Sequence, residues 1–255
     1  MTFMLRPSTK AILHKVLPQP LIELAYDFRY FGLPEPFRTV RPHSLLSYIN
    51  LFFLQELAQR LERENIPGDF VECGVYRGGS AGILGYEARR SKLGRKLWLY
   101  DSFAGMPEAM EKDDDYARSL KGSYIGSEQQ TRKILHRLNV PEEQYTIVVG
   151  LFEDTFPQAE IPRIALLHVD CDFYNPVKLS LETFYEAVQP GGYVVLNDYG
   201  WFQGSKLATD EFISKLSPKV NLMQIDKDAY YFQKTKVNSE KLMQSSNDFL
   251  DNVAT

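Results

Sequence analysis

Short apolar runs alternate with longer amphipathic segments through most of this chain. Runs of six or seven residues, which are typical of buried β-strands, occupy positions 69–75, 96–101, 145–150, 164–170 and 193–198. Helical spacing of apolar residues predicts helices near 79–92, 128–138, 176–188 and 205–216. We expect Pro190-Gly191-Gly192 to stop the third of these helices. Two last runs, 220–225 and 229–233, flank a polar turn and predict a hairpin.

This alternation predicts an α/β fold built on a single doubly wound sheet. Strands that alternate with helices form a mostly parallel sheet with helices on both faces. The hairpin adds an antiparallel strand at the end of the sheet and brings the total to seven strands. We divide the chain into a helical N-terminal arm (1–43), an α/β domain (44–236) and a polar C-terminal tail (237–255).

The N-terminal arm contains five prolines within residues 1–40, so we expect short, broken helices there. Its apolar residues are expected to pack on the domain's own surface or on a second subunit, which makes the arm a candidate homodimer contact. From residue 44 onward the pattern predicts an amphipathic helix that ends before Pro67. The residues on its predicted apolar face are Leu45, Leu46, Ile49, Phe52, Phe53, Leu57 and Leu61.

Composition narrows the class of protein. The chain has 255 residues, of which 44% are hydrophobic and 24% are charged, so whole-chain disorder is not expected. The net charge of −4 and the lack of a dense basic cluster predict no nucleic-acid partner. We find no apolar stretch long enough for a membrane span and no signal peptide. Two cysteines are too few for a disulfide framework, and we therefore expect a cytoplasmic protein.

A glycine-rich turn follows the first strand, where open α/β sheets bind their ligands. Its glycines, Gly74, Gly78 and Gly79, match neither the dinucleotide fingerprint nor the phosphate-binding P-loop. Asp101 ends the second strand, 27 positions after Gly74, where an acid commonly binds ribose hydroxyls. Taken alone, the turn could be a tight connection that binds no ligand, and Asp101 could be a cap. Together they favour a nucleoside site, in which Phe152 either flanks the base or joins the core.

Acidic residues end the fourth and fifth strands. Asp170 and Asp172 follow one strand, and Asn197 and Asp198 follow the other. Neighbouring strands lie about 4.8 Å apart, so these carboxylates would repel one another unless a proton or a cation lay between them. A hard divalent cation held by Asp170, Asn197 and Asp198 would relieve that repulsion, and Asp172 could act as a general base. The alternative is that each acid caps a helix or pairs with an arginine.

The connection between the second and third strands is long for a βα connection. Residues 102–144 contain several glycines together with Tyr116 and Tyr124. Such connections are candidates for active-site lids.

Five motifs together resemble the macrocin O-methyltransferase family. They are 71–80 (VECGVYRGGS), 100–107 (YDSFAGMP), 152–157 (FEDTFP), 169–174 (VDCDFY) and 190–199 (PGGY through NDY). The resemblance covers roughly residues 40–235. It implies a class I methyltransferase fold that binds S-adenosylmethionine and performs magnesium-dependent transfer to a hydroxyl. Known members methylate deoxysugar hydroxyls of antibiotics and related glycosides, so a small hydroxylated acceptor is implied here.

The resemblance also implies roles for individual residues. Asp101 would bind the ribose diol and Asp172 would be the base. Asp170, Asn197 and Asp198 would hold the metal. Tyr76 could shape the cofactor pocket. The remaining positions implied in cofactor binding are Ser44, Glu72, Gly74, Gly78, Gly79, Ser80 and Ser102.

One departure from the family pattern concerns the metal. The family usually has two successive acids where this chain has Asn197-Asp198, and an asparagine keeps a coordinating oxygen but removes one negative charge. Two other functions remain open at this point. Asp170-Cys171-Asp172 fits the D-x-D motif of a metal-dependent glycosyltransferase, and Asn197 is compatible with a non-catalytic module of methyltransferase fold.

Overall fold

A computed structural model of the protein describes residues 32–235. Positions 1–31 of the predicted arm, the predicted tail and the proposed arm-mediated dimer contact lie outside the described residues. The described strands are β1 (Asp69–Cys73), β2 (Leu97–Asp101), β3 (Tyr145–Val149), β4 (Ile164–Val169), β5 (Val188–Leu196), β6 (Met223–Gln224) and β7 (Tyr230–Gln233). The described helices are α1 (Phe37–Val40), α2 (Tyr48–Arg63), α3 (Gly79–Ala88), α4 (Asp115–Ser119), α5 (Glu128–Arg137), α6 (Phe152–Thr155), α7 (Tyr174–Phe184) and α8 (Gln203–Ser214).

These strands form one seven-stranded sheet in the order β3-β2-β1-β4-β5-β7-β6. Strands β1 to β5 are parallel, and β7 runs antiparallel to both of its neighbours. The predicted doubly wound, mostly parallel sheet is therefore confirmed. The C-terminal hairpin is also present, although β6 is only two residues long.

Helices cover both faces of the sheet, as the alternation of elements predicts. On one face, α2, α3 and α5 bury side chains such as Leu54, Ile83 and Leu135 against β1 and β2. On the other face, α7 and α8 bury Leu181 and Ala208 against β1, β4 and β5. No helix within residues 32–235 is long and apolar enough to cross a membrane.

The helix predicted from residue 44 begins later, and its buried face includes the predicted Leu57 and Leu61 but not three other predicted residues. Ser47 caps it by accepting a hydrogen bond from the backbone N–H of Asn50, and α2 starts at Tyr48. Three residues predicted on its apolar face, Leu45, Ile49 and Phe52, are exposed by 64%, 58% and 52%. The prediction was wrong there because the helix packs through another helical stripe. Its buried residues are Asn50, Leu51, Leu54, Leu57, Ala58 and Leu61.

Pro190-Gly191-Gly192 lies inside β5 and does not terminate a helix, so that prediction was also wrong. Helix α7 already ends at Phe184. The β4–β5 pairing shifts register after Ile164, which lets the proline occupy an irregular part of the ladder. The Gly191 N–H donates to the carbonyl of Lys234 beyond β7, so the segment remains hydrogen-bonded.

The predicted boundary at 43/44 does not divide the packing. Phe37 and Val40 of α1 are buried in the same core as α2 and α3. A Cβ on Gly82 would lie 2.6 Å from Cγ1 of Val40, so α1 and α3 are in close contact. Residues from Phe37 onward are thus part of the α/β domain.

Candidate active site

A cavity of about 640 Å³ opens beyond the carboxyl ends of the parallel strands. Such cavities are where open α/β sheets bind ligands. The predicted site residues that line it are Ser44, Gly74, Tyr76, Gly79, Ser80, Asp101, Ser102, Phe152, Asp170, Asp172, Asn197 and Asp198. The fold therefore brings the predicted nucleoside residues and the predicted acid cluster into one space.

Two predicted site residues do not line the cavity. Glu72 is fully buried, and its Oε1 lies 2.9 Å from Nδ1 of His168 in the adjacent strand. His168 is thus a hydrogen-bonded core histidine, as is usual for a lone histidine in a strand. Gly78 is the N-cap of α3 at φ +82°, where a Cβ would lie 2.9 Å from Cα of Thr131. Gly78 therefore contributes to the shape of the turn without lining the cavity.

The turn after β1 depends on Gly74. Its φ is +92°, and a Cβ there would lie 1.8 Å from the carbonyl oxygen of Asp170. Only glycine satisfies both the backbone conformation and this close approach. Gly79 is also tightly enclosed, since a Cβ would lie 2.4 Å from Cβ of Ser44. The turn is therefore packed between the end of β4 and the segment that precedes α2.

Asp101 organises the same turn. Its Oδ2 accepts hydrogen bonds from the N–H groups of Val75 and Tyr76, at 2.7 and 2.8 Å. Its Oδ1 accepts from the N–H of Phe103 at 2.6 Å. A carboxylate has about four lone-pair sites, so three bonds leave about one for a ligand. The capping role that sequence analysis left open is present, and it is compatible with binding a hydroxyl.

Aromatic side chains form part of the cavity wall near the turn. Tyr76 has a φ of +54°, an unusual conformation for a bulky residue, and its ring meets that of Tyr124 edge-on at 6.4 Å. Phe152 begins α6 and stacks on Phe156 with ring centroids 4.5 Å apart. Phe152 thus both contacts the core and lines the cavity, and its contact with the base stays a prediction.

The acid cluster is held by hydrogen bonds between strand ends. The amide Nδ2 of Asn197 donates to Oδ1 of Asp170 at 3.0 Å. The Oδ1 of Asn197 accepts from Nδ2 of Asn50 at 3.2 Å. The backbone N–H of Asp172 donates to Oδ2 of Asp198 at 3.0 Å. Asn197 therefore turns its nitrogen, and not its oxygen, toward Asp170.

Burial and mutual repulsion raise the pKa values of these acids. Burial, followed by other nearby carboxylates, raises the pKa of Asp172 to about 8. The pKa of Asp170 rises to about 6, chiefly through burial, although His168 opposes the shift. Burial and the two neighbouring acids hold the pKa of Asp198 well above its usual range. No lysine or arginine within residues 32–235 forms an ion pair with any of them.

Asn50 is a site residue that sequence analysis missed. It lies on the buried face of α2, is 6% exposed, lines the cavity, and its Oδ1 has no hydrogen-bond partner. A signal was present, because a polar residue between Ile49 and Leu51 on the apolar side of a helix usually has a specific partner.

The long connection 102–144 contributes to the cavity through residues such as Met106 and Tyr124. Its central part is anchored by Asp113, which is 4% exposed. Oδ1 of Asp113 accepts from the N–H of Tyr174 at the start of α7, and Oδ2 accepts from the N–H of Met110, each at 2.8 Å. The predicted lid segment thus forms one wall of the site, and Asp113 fixes it to the start of α7.

The described part of the chain contains no group of three or more His, Cys, Asp or Glu side chains arranged to hold a metal ion. The cluster consists instead of carboxylates and one amide, with the amide oxygen directed away from Asp170.

Comparison with known proteins identifies the family. The model of the macrocin O-methyltransferase family (TylF) matches residues 38–234. The chain belongs to this family. The match begins within α1 and ends just after β7, so it spans the whole described domain.

Individual relatives agree with this family assignment. The chain is 32% identical over 202 residues to demethyldecarbamoylnovobiocin O-methyltransferase of Streptomyces niveus, with 76% of each chain covered. It is 27% identical over 206 residues to a Streptomyces olivaceus 4'-O-methyltransferase of a rhamnosyl-tetracenomycin, with 78% of each covered. Among solved structures, the O-methyltransferase NovP superposes with a TM-score of 0.70 at 30% identity, covering 76% of this chain and 83% of NovP.

These findings establish the general activity. The chain is an S-adenosylmethionine-dependent O-methyltransferase with a class I methyltransferase fold. Because the chain belongs to a methyltransferase family, Asp170-Cys171-Asp172 is not interpreted as the D-x-D motif of a glycosyltransferase. The roles of the individual site residues remain predictions.

We expect Gly74→Ala to disrupt the site far more than Gly94→Ala. Both glycines have positive φ, but a Cβ on Gly94 meets nothing within 4 Å, whereas one on Gly74 meets the Asp170 carbonyl. Gly94→Ala should cost about 1 kcal/mol from backbone conformation alone. Gly74→Ala should cost several times that free energy in urea unfolding and should weaken S-adenosylmethionine binding in calorimetry. Equal effects of the two substitutions would contradict this account of the turn.

We expect the free energy of unfolding, measured in urea with a chelator present, to fall as pH rises from about 5 to 9. Acids with raised folded-state pKa values stabilise the fold fully below the unfolded value of about 4. That stability is lost as pH rises through about 6 for Asp170 and about 8 for Asp172.

Asp198→Asn should make this decline shallower because it removes a buried carboxyl whose pKa is raised in the folded state. Asp115→Asn is the matched control, since the side chain of Asp115 is 99% exposed and the variant should retain the wild-type slope. A flat wild-type profile, or the same slope in Asp198→Asn, would show that the acid cluster does not set the pH dependence.

Proposed function

We propose that this enzyme methylates a sugar hydroxyl of a glycosylated small molecule, with Asp172 as the general base and a divalent cation at the acid cluster. One observation carries this proposal. A single cavity joins the glycine turn and Asp101 on one side to Asp170, Asp172 and Asp198 on the other. A cofactor and an acceptor bound in that cavity would lie next to each other.

The cofactor half of the cavity is formed by the ends of β1, β2 and β3. The turn at Gly74 brings main chain close to the ligand, and Asp101 retains acceptor capacity for a ribose hydroxyl. Ser44, Ser80 and Ser102 add hydroxyl groups along the same wall. We assign Glu72 an indirect role, because its carboxylate is turned to His168 behind the turn.

S-adenosylmethionine supplies an electrophilic methyl group on its sulfonium. The protein has to hold the acceptor oxygen in line and remove its proton. Asp172 suits proton removal because its carboxyl lines the cavity beside the acid cluster, and burial and neighbouring carboxylates raise its pKa above that of an ordinary aspartate. Its φ of +61° is an uncommon conformation of the kind that clusters at functional sites.

The donor set at the acid cluster is compatible with a hard divalent cation. Carboxylate and amide oxygens are the ligands that such cations prefer, and these acids form no ion pair with a lysine or arginine within the described chain. Asp170, Asn197 and Asp198 would hold the ion, which would lower the pKa of an acceptor hydroxyl. Reversal of both the Asn197 and the Asn50 amides would direct the oxygen of Asn197 to the side of Asp170 and its nitrogen toward Oδ1 of Asn50, which has no hydrogen-bond partner in the present arrangement.

The relatives supply the acceptor class in this proposal. The names of the two Streptomyces enzymes specify methylation of a novobiocin precursor and of a rhamnosyl-tetracenomycin, and a third, from Micromonospora griseorubida, is a mycinamicin III 3''-O-methyltransferase. A glycoside is therefore the first acceptor to test.

Calorimetry with S-adenosylmethionine, followed by mass spectrometry of methyl transfer to a panel of glycosides with and without magnesium, tests the function as a whole. Absence of methylation across sugars and aglycones would contradict it.

We expect Asp172→Asn to lower turnover by a factor of about 100 or more, since general-base catalysis contributes roughly that much. Asparagine tolerates the same backbone conformation and keeps the N–H that bonds Asp198, so cofactor affinity in calorimetry should change little. Asp210→Asn is the control. Asp210 lies in an exposed ion pair with Lys206, and its removal should leave turnover near wild type. Persistent turnover in Asp172→Asn would exclude Asp172 as the base.

We expect Asn197→Asp to raise the affinity for Mg²⁺ or Mn²⁺ by about tenfold or more, because cation affinity increases with the number of charged ligands. Asp198→Asn should have the opposite effect. Calorimetric titration of each variant with the cation alone measures this without any acceptor. Equal affinities of wild type, Asn197→Asp and Asp198→Asn would show that the acid cluster does not bind the cation.

A further inference from the structure

Trp201 lies at the cavity with much of its indole in solvent. It lines the cavity and is 53% exposed. Met110 and Tyr124, which line the same space, are exposed by 51% and 42%. Scattered apolar residues at a surface need no explanation, but a group of large apolar side chains around one concavity marks a binding surface.

A second aromatic ring, from the long connection, joins Trp201. Tyr116 of α4 is 47% exposed, and its ring meets that of Trp201 nearly perpendicularly, with centroids 6.1 Å apart. Tyr116 also stacks on Phe202, which is buried and packs against Phe173. The Tyr116–Trp201 pair therefore rests on a small buried cluster, and the pair is held in place before any ligand binds.

The pair is directly connected to the acid cluster. Trp201 follows Asp198 by three residues, and its backbone N–H donates to the carbonyl of Asp198 at 3.0 Å. Phe173, in the cluster below the pair, is the residue after Asp172. A group lying on Trp201 and Tyr116 would therefore be adjacent to an acceptor hydroxyl positioned at Asp172.

The sheet order separates this pair from the cofactor half of the cavity. Asp101 and Phe152 follow β2 and β3 on one side of β1, whereas Trp201 follows β5 on the other side. The pair is thus on the acceptor side. Lys227 lies close to Trp201, with its Nζ 4.7 Å from the indole centroid, and Trp201 is still 53% exposed despite that contact.

We propose that Tyr116 and Trp201 form a binding subsite for the flat, apolar aglycone of the acceptor, while the attached sugar occupies the acid cluster. This inference rests on the proposed function. Aromatic rings bind flat apolar groups through stacking and edge contacts, and such contacts add roughly 0.5–1.5 kcal/mol beyond the area they bury. The subsite therefore discriminates among acceptors by the aglycone to which the sugar is attached.

The test compares two probes in the presence of S-adenosylhomocysteine: 4-nitrophenyl α-L-rhamnopyranoside and methyl α-L-rhamnopyranoside. The chain has two tryptophans, Trp98 and Trp201. Trp98 is hydrogen-bonded to Asp69 at the start of β1, so Trp98→Phe leaves Trp201 as a fluorescent reporter. We expect saturable quenching of Trp201 by the nitrophenyl probe, and about tenfold tighter binding of that probe than of the methyl glycoside in calorimetry.

Substitutions then test which residues cause the preference for the nitrophenyl probe. Trp201→Ala and Tyr116→Ala should each reduce the preference for the nitrophenyl probe at least threefold, and Trp201→Phe and Tyr116→Phe should retain most of it. Phe52→Ala is the matched control, because Phe52 is 52% exposed and its ring packs on Phe37 rather than on Trp201. S-adenosylmethionine affinity should be unchanged in every variant.

Equal affinities for the two probes, or a preference that survives in both alanine variants, would overturn the proposed subsite. Failure of the proposed function has a different signature. In that case neither probe binds while S-adenosylmethionine does, or S-adenosylmethionine itself fails to bind the wild-type enzyme.

Discussion

The contact between Gly74 and the carbonyl of Asp170 is the constraint on which the rest of the site depends. It joins the ends of the two central strands so closely that a single added carbon would not fit. On one side of this contact the chain turns into α3 under the control of Asp101, and on the other side it continues into the acid cluster. Because both paths start from one contact, the glycine turn and the acid cluster have fixed relative positions.

The acid cluster shows the cost of this arrangement. Asp170, Asp172 and Asp198 lie near one another in a poorly solvated space, and their pKa values are raised as a result. Asn197 contributes no negative charge of its own, and its side-chain amide donates a hydrogen bond to Asp170. In the absence of a cation, the carboxylates of this cluster therefore repel one another less than those of a cluster with a fourth acid at position 197 would.

Most of the fold followed from local patterns in the sequence. The seven-stranded sheet, the helices on both faces and the hairpin were predicted because period and length distinguish buried strands from amphipathic helices. The errors occurred where a local pattern did not match the packing of the folded chain. Leu45 and Ile49 have helical spacing but lie outside the stripe that packs on α3, and Pro190-Gly191-Gly192 continues as a strand where the register shifts.

The sequence by itself determined which residues meet at the carboxyl edge of the sheet, because parallel strands end together and each was followed by its own polar group. Tertiary structure decided how those groups are oriented. Glu72 turns to His168 rather than to the cavity, the Asn197 amide is set by Asn50 from 147 positions away, and Trp201 meets Tyr116 from the long connection. Strand periodicity identifies the face of a side chain, but its hydrogen-bond partner depends on elements that only the packed chain brings together.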